Sequence, residues 1–145
     1  MTKTGTKTGT KTGPLRILVV DDNRETASLI TESLHDLGAE AEACLSGEEA
    51  LAHIAGFRPQ ILMLDLDMPG MDGFEVAQTL RARPDMGAAR IIAQTAYGDA
   101  DMRARTARAG FDLHLTKPLS LARLGDMLDL LTSALGREGE DWATA

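Results

Sequence analysis

The sequence has one cysteine in 145 residues, Cys44, so no disulfide can form within the chain and nothing calls for an oxidising compartment. It has no apolar run near the roughly 18–20 residues that a membrane span needs. The N-terminus has no apolar stretch of the kind a signal peptide requires. Positive charge is also short: the net charge is −7 and the pI is near 4.9. A nucleic-acid binder needs a basic patch to neutralise phosphates, and an anionic membrane surface needs the same. The expectation is therefore a cytoplasmic protein with no nucleic-acid partner and no membrane contact.

What is present is an ordinary globular composition, 43% hydrophobic and 26% charged. The length suits one domain that buries a core without metal or disulfide staples. Charge is uneven along it. Residues 1–13 carry Lys3, Lys7 and Lys11 and no acid; residues 14–136 carry 19 acids and 11 bases; residues 137–145 carry Arg137 against three acids. The acidity belongs to the body of the chain.

Three stretches follow from this. After Met1 the tetrapeptide Thr-Lys-Thr-Gly repeats three times, with nothing apolar to bury, so residues 1–13 read as a disordered tail. No Gly-Lys-Ser/Thr occurs at the spacing of a phosphate-binding loop. Residues 14–136 read as the folded domain. Residues 137–145 are an acidic tail in which Trp142 either folds back on the body or serves as a docking handle.

Within the body, strand and helix signals alternate. Leu15 to Val20 is a buried strand. Asn23 to Leu37 places Ala27, Ile30, Leu34 and Leu37 at helical spacing and stops at Gly38. Ala39 to Cys44 alternates weakly. Ser46 with Glu49 reads as a capping box that opens a helix to about Ala55. Ile61 to Leu64 is a second buried strand, and Phe74 to Arg83 is helical up to Pro84. Ile91 to Ala93 is a strand, Asp101 to Ala109 a helix, Leu113 to Leu115 a strand, and Ser120 caps a last helix to about Leu135. Five strands alternating with five helices imply an α/β fold, a doubly wound parallel sheet covered on both faces. Ligands of such sheets bind at the carboxyl ends of the strands.

Chemistry gathers at those ends. Strand one ends in Asp21-Asp22, strand three in Asp65 with Asp67 two residues on, strand four in Thr95, and strand five in Thr116-Lys117-Pro118. Strand two contributes nothing obvious. Clustered carboxylates resist joint ionisation unless a cation joins them. Mg²⁺ suits the set, because it prefers oxygen ligands and takes one or two carboxylates together with phosphate oxygens. Lys117 and Thr95 add an ammonium and a hydroxyl donor. Together these residues describe a phosphoryl-accepting site: an aspartate nucleophile, a metal across its oxygens, and donors for the incoming charge.

These stretches resemble the receiver domain of response regulators in two-component signalling. The matching runs are Ile17 to Asn23, Leu62 to Gly73 with its Asp65-Leu66-Asp67-Met68-Pro69-Gly70-Met71-Asp72-Gly73 core, Gln94 to Tyr97, and Ala109 to Pro118. The resemblance implies a flavodoxin-like sheet of strand order 2-1-3-4-5 and a cis Lys117-Pro118 bond. It implies that Asp65 accepts a phosphoryl group from a phosphohistidine of a histidine kinase or histidine phosphotransfer protein. Asp22 and Asp65 would ligate Mg²⁺ directly, the backbone carbonyl of Asp67 would be a further ligand, and Asp21 would act through water. Thr95 and Lys117 would hold the phosphoryl oxygens. Thr95 would then move, and the residue three before Lys117 would swing inward, changing the face made by helix four, strand five and helix five. That switch residue is His114 here, as in receivers attached to hybrid kinases, where bulkier aromatics are commoner elsewhere in the family; a surface histidine without a switch role is the alternative.

Further expectations attach to the same reading. Tyr97, two beyond Thr95, would overhang the site with Asp67 and set the lifetime of the aspartyl phosphate. His35 and His53 read as surface residues. The chain would be a stand-alone receiver with no output domain, acting on a downstream protein target as a monomer or as a phosphorylation-dependent dimer. It would not be an enzyme beyond its own phosphorylation and slow autodephosphorylation at Asp65. Two alternatives stand beside this reading. One is a receiver-like docking module that is never phosphorylated. The other is a phosphatase, since Asp65-Leu66-Asp67 also resembles the nucleophile motif of haloacid-dehalogenase-like enzymes.

Overall fold

Alternation of short β-branched runs with amphipathic stretches produces the expected architecture. A computed structural model describes residues 14–96 and 98–138. Its strands are β1 (Arg16–Val20), β2 (Glu40–Cys44), β3 (Ile61–Asp65), β4 (Arg90–Thr95) and β5 (Leu113–Thr116). Its helices are α1 (Arg24–Asp36), α2 (Gly47–Phe57), α3 (Gly73–Arg81), α4 (Ala100–Arg108) and α5 (Leu121–Glu138). All strand pairs are parallel, in the order β2-β1-β3-β4-β5. Strand β3 is buried at every position, which is why it reads as continuous apolar sequence rather than as an alternating one.

The pleat divides the core in two. Leu18, Val20, Leu62, Leu64, Ile91 and Ala93 face one way, against residues of α2 and α3 such as Ile54, Val76 and Leu80. Ile17, Val19, Met63 and Ile92 face the other way, against Ile30 and Leu34 of α1 and Leu124 and Leu128 of α5. The crossover helices thus cover both faces and leave the carboxyl ends of the strands open at one edge.

Local chemistry fixes the helix starts. Asn23 accepts a hydrogen bond from the Thr26 N–H at 2.9 Å, and Ser120 accepts from Arg123 at 3.1 Å. Ser46 accepts from the Glu49 N–H at 3.0 Å, but Glu49 takes the N–H of Leu45 rather than that of Ser46. The reciprocal capping box forms instead at α3, between Asp72 and Glu75. Leu37 also departs from its expected place on the buried stripe. It lies at the C-terminal cap of α1 and is 39% exposed, because the chain turns at Gly38 (φ 96°) before Leu37 can reach the sheet.

The helix expected to Arg83 ends at Arg81, and a 3₁₀ turn follows at Pro84–Met86. Helix α5 runs beyond Leu135 to Glu138. The Thr-Lys-Thr-Gly repeat, Tyr97 and Trp142 lie outside the described residues. Among the described residues no helix is long and apolar enough to cross a membrane.

Candidate functional site

Each acid of the site is set by the strand that ends at it. Asp21 follows β1 and is completely buried; its N–H donates to the Cys44 carbonyl at 3.1 Å, and its Oδ1 accepts the Asn23 N–H at 2.9 Å. Strand β2, which shows no functional side chain in the sequence, therefore holds the backbone of Asp21. Asp65 is the last residue of β3 and is 3% exposed. Its Oδ1 accepts the N–H of Asp67 at 3.0 Å, and the following N–H of Leu66 donates to the Gln94 carbonyl at 3.0 Å. Asp22 is exposed at the rim. Ligand oxygens of Asp21, Asp22 and Asp65 all lie within 4.8 Å of one another.

Lys117 follows β5 and is tied to β4 by its N–H, which donates to the Thr95 carbonyl at 2.8 Å. The Lys117-Pro118 peptide is cis. Lys117 Nζ lies 3.2 Å from Asp21 Oδ2 and 3.2 Å from Asp65 Oδ2, so one ammonium spans the two buried carboxylates. Burial works against the charge of Lys117, but Asp65 and then Asp21 outweigh it and hold the group above its ordinary 10.5. Burial also dominates at Asp21, and with the nearby Asp65 charge it raises that carboxyl above 3.8 although Asn23 and Lys117 oppose the shift.

This donor set fits Mg²⁺. Three carboxylates face one ammonium, and the two buried acids have little water to disperse their charge. A hard divalent cation on oxygen ligands resolves that imbalance.

Thr95 is fully buried at the end of β4, and its Oγ1 donates to Asp67 Oδ2 at 3.3 Å. The sequence reading gave Asp67 a backbone carbonyl for the metal and a place overhanging the site; the structure gives its side chain the Thr95 hydroxyl as well. The loop from Asp65 to Gly73 turns at Gly70 (φ 72°) and closes on Gly73, where a Cβ would sit 2.7 Å from the Asp65 carbonyl oxygen. Gly73 is thus required by a close backbone approach beneath Asp65.

His114 pairs in register with Ala93, two residues before the Thr95–Thr116 pair. It is half-buried rather than a surface residue, and its Nδ1 lies 3.2 Å from the Thr106 hydroxyl of α4. His35 is exposed with Nε2 2.9 Å from the Ala41 carbonyl, and His53 pairs with Glu42. Neither approaches the acid cluster. A residue that sequence reasoning passed over is Gln94, a polar side chain in the run Ile91-Ile92-Ala93-Gln94-Thr95, fully buried one position before Thr95. Its place in an otherwise apolar strand was the signal.

Comparison with known proteins agrees with this geometry. The family model of the response regulator receiver domain matches residues 17–129, a span that includes the Asp65-Leu66-Asp67 run. The chain is 39% identical over 129 residues to the response regulator MprA of Mycobacterium sp. (strain KMS), covering 88% of this chain but 55% of that regulator. Among solved structures, the chemotaxis protein CheY4 of Vibrio cholerae superposes with a TM-score of 0.78 at 26% identity, over 81% of this chain and 98% of that one. The receiver domain of a histidine kinase from Syntrophus aciditrophicus superposes with a TM-score of 0.75 at 29% identity, over 84% and 92%.

Proposed function

The chain belongs to the response regulator receiver domains of two-component signalling, and from that premise we propose that it accepts a phosphoryl group on Asp65 from a phosphohistidine of a kinase or phosphotransfer protein. The observation that carries this reading is the Lys117 ammonium held between Asp21 and Asp65 at 3.2 Å from each, at the carboxyl edge of the sheet. A carboxylate oxygen of Asp65 attacks phosphorus; the P–O bond forms as the P–N bond breaks, and the histidine nitrogen leaves with the electron pair. Asp65 is poised for this, because the Asp67 N–H and Lys117 fix its carboxylate. Asp21, Asp22 and Asp65, with the Asp67 carbonyl, would hold Mg²⁺, which supplies positive charge against the crowded carboxylate and phosphoryl oxygens when bound. Lys117 then pairs with a phosphoryl oxygen, and Thr95 leaves Asp67 to donate to another.

Movement of Thr95 is the link to output. His114 stands on the same face of the sheet as Thr95, against Thr106 of α4. Its inward rotation repacks the surface made by α4, β5 and α5, which is where a downstream protein would read the state. Reaction at Asp65 is confined to the chain's own phosphorylation and slow hydrolysis. The test is phosphotransfer profiling: each radiolabelled histidine kinase of the source organism is mixed with the chain and with Asp65→Asn. Rapid transfer from one kinase to the wild-type chain alone is the expected result. Equal transfer to both proteins would remove Asp65 as the acceptor.

A further inference from the structure

Gln94 carries a feature that the core cannot account for. Its side chain is fully buried, and neither its Oε1 nor its Nε2 has a hydrogen-bond partner. A buried carboxamide without partners is costly, and such groups in native proteins call for an explanation. Leucine or methionine would fill the same space without that cost.

The register says where the amide stands. Gln94 pairs with Asp65 on one side and with Leu115 on the other. The β1–β3 register, extended by one residue past Val20–Leu64, places Asp21 beside Asp65. Asp21, Asp65 and Gln94 therefore form one row on one face of the sheet. Lys117 lies two residues beyond Leu115, on that same face, yet its Nζ reaches Asp65 and Asp21 at 3.2 Å each. To do so it must cross β4, since neighbouring strands stand about 4.8 Å apart. That crossing is made at the carboxyl end of β4, where Gln94 is the residue in register with Asp65.

We propose, resting on the phosphoacceptor reading above, that Gln94 is a positioning residue for Lys117. An ammonium has three N–H donors, and two are committed here, to Asp21 and Asp65. When Asp65 becomes an acyl phosphate, its carboxyl loses the charge that holds the ammonium. Lys117 then turns the donor freed from Asp65 to a phosphoryl oxygen, and the same turn brings its third donor to Gln94 Oε1. Among the described residues Gln94 Oε1 is the buried side-chain oxygen still without a hydrogen bond. The amide oxygen is thus left unpaired in the resting state and bonded in the phosphorylated one, which favours phosphorylation and fixes where the ammonium lands.

Gln94→Met and Gln94→Leu test this against the full chain, with acetyl phosphate and Mg²⁺ as the phosphodonor system. Three measurements are made: thermal midpoint without metal, rate of Asp65 labelling, and labelling rate on a Lys117→Arg background. Both variants should keep or raise the metal-free midpoint and lower the labelling rate at least fivefold. On the Lys117→Arg background the same replacement should change the rate less than twofold, because the residue acts through the ammonium. Labelling of the Gln94 variants at the wild-type rate overturns the inference alone. The same fold-change in both backgrounds overturns it too, as does unfolding of both variants, since either makes the amide merely structural. Absence of labelling in the wild-type chain overturns the phosphoacceptor reading, and the inference with it.

Discussion

The hydroxyl of Thr95 is given to Asp67, not to Asp65: Thr95 Oγ1 lies 3.3 Å from Asp67 Oδ2. The residue expected to contact the phosphoryl group is thus engaged by the loop two positions past the acceptor. In the proposed switch Thr95 has to leave Asp67 before it can reach a phosphoryl oxygen. The bond is long and Asp67 is exposed, so it contributes at the low end, about 0.5–1 kcal/mol. Asp67→Ala keeps the backbone carbonyl and removes the acceptor. Labelling of Asp65 by acetyl phosphate should accelerate about two- to fivefold, the equivalent of that energy. A slower rate in this variant would show that the Asp67 side chain assists the reaction instead of restraining Thr95.

Asp21 should cost the metal-free protein stability at neutral pH. Burial raises its carboxyl above 3.8, so folding favours the protonated form. Its contribution is fully present below 3.8 and is lost as pH rises through the higher folded value. Asp21→Asn removes the buried charge and leaves Lys117 paired with Asp65. Without Mg²⁺ the variant should be more stable at pH 7 by on the order of 1 kcal/mol, seen as a rise of a few degrees in thermal midpoint. Added Mg²⁺ should stabilise the wild-type chain and have much less effect on the variant. Lys117 sets the opposite limit: its contribution is fully present below 10.5 and is lost as pH rises through its raised folded value.

The site was legible in the sequence because parallel strands end abruptly. An apolar run followed by an acid, as in Leu62-Met63-Leu64-Asp65, marks both a strand and its carboxyl end. Once the five strand ends are assigned to one sheet, the convergence of Asp21, Asp22, Asp65, Thr95 and Lys117 follows from topology. What sequence pattern did not disclose depends on partners distant in the chain. The pairing of Thr95 with Asp67 spans 28 residues and needs the loop conformation. Leu37 has helical spacing, but spacing alone cannot say that the chain turns off the core one residue later. Arg81 donates to the Gly110 carbonyl and to Asp112, and Arg90 joins Asp112 as well, a bracket beneath α4 and β5 that no local motif announces.

Cys44 should be inert in the folded chain. Burial first, then the charges of Glu49 and Glu42, push its thiol up to about 11 from 9.0. A thiol is reactive only as thiolate, so at pH 8 the shift leaves roughly a hundredfold less reactive species than an ordinary cysteine. A chromogenic disulfide reagent should label the native protein at least that much more slowly than the protein in denaturant. Fast labelling under native conditions would place the β2 edge closer to solvent than the structure does.

Gly73 should tolerate no side chain. The Cβ of Gly73→Ala would stand 2.7 Å from the Asp65 carbonyl oxygen, a backbone atom that cannot rotate away. The loop or the end of β3 must shift, at a cost of about 1–3 kcal/mol. Denaturant unfolding should report that loss, and Asp65 labelling should fall with it. Gly56, where a Cβ meets nothing within 4 Å, serves as the control site, and Gly56→Ala should leave labelling unchanged.

The most direct measurement is intact mass spectrometry of the chain after incubation with acetyl phosphate and Mg²⁺, beside Asp65→Asn. The wild-type protein should gain one phosphoryl group, labile to base as an acyl phosphate is, and the variant should gain none. Omission of Mg²⁺ should suppress the gain. An unmodified wild-type chain, or equal modification of Asp65→Asn, would contradict the assignment of Asp65 as the phosphoryl acceptor.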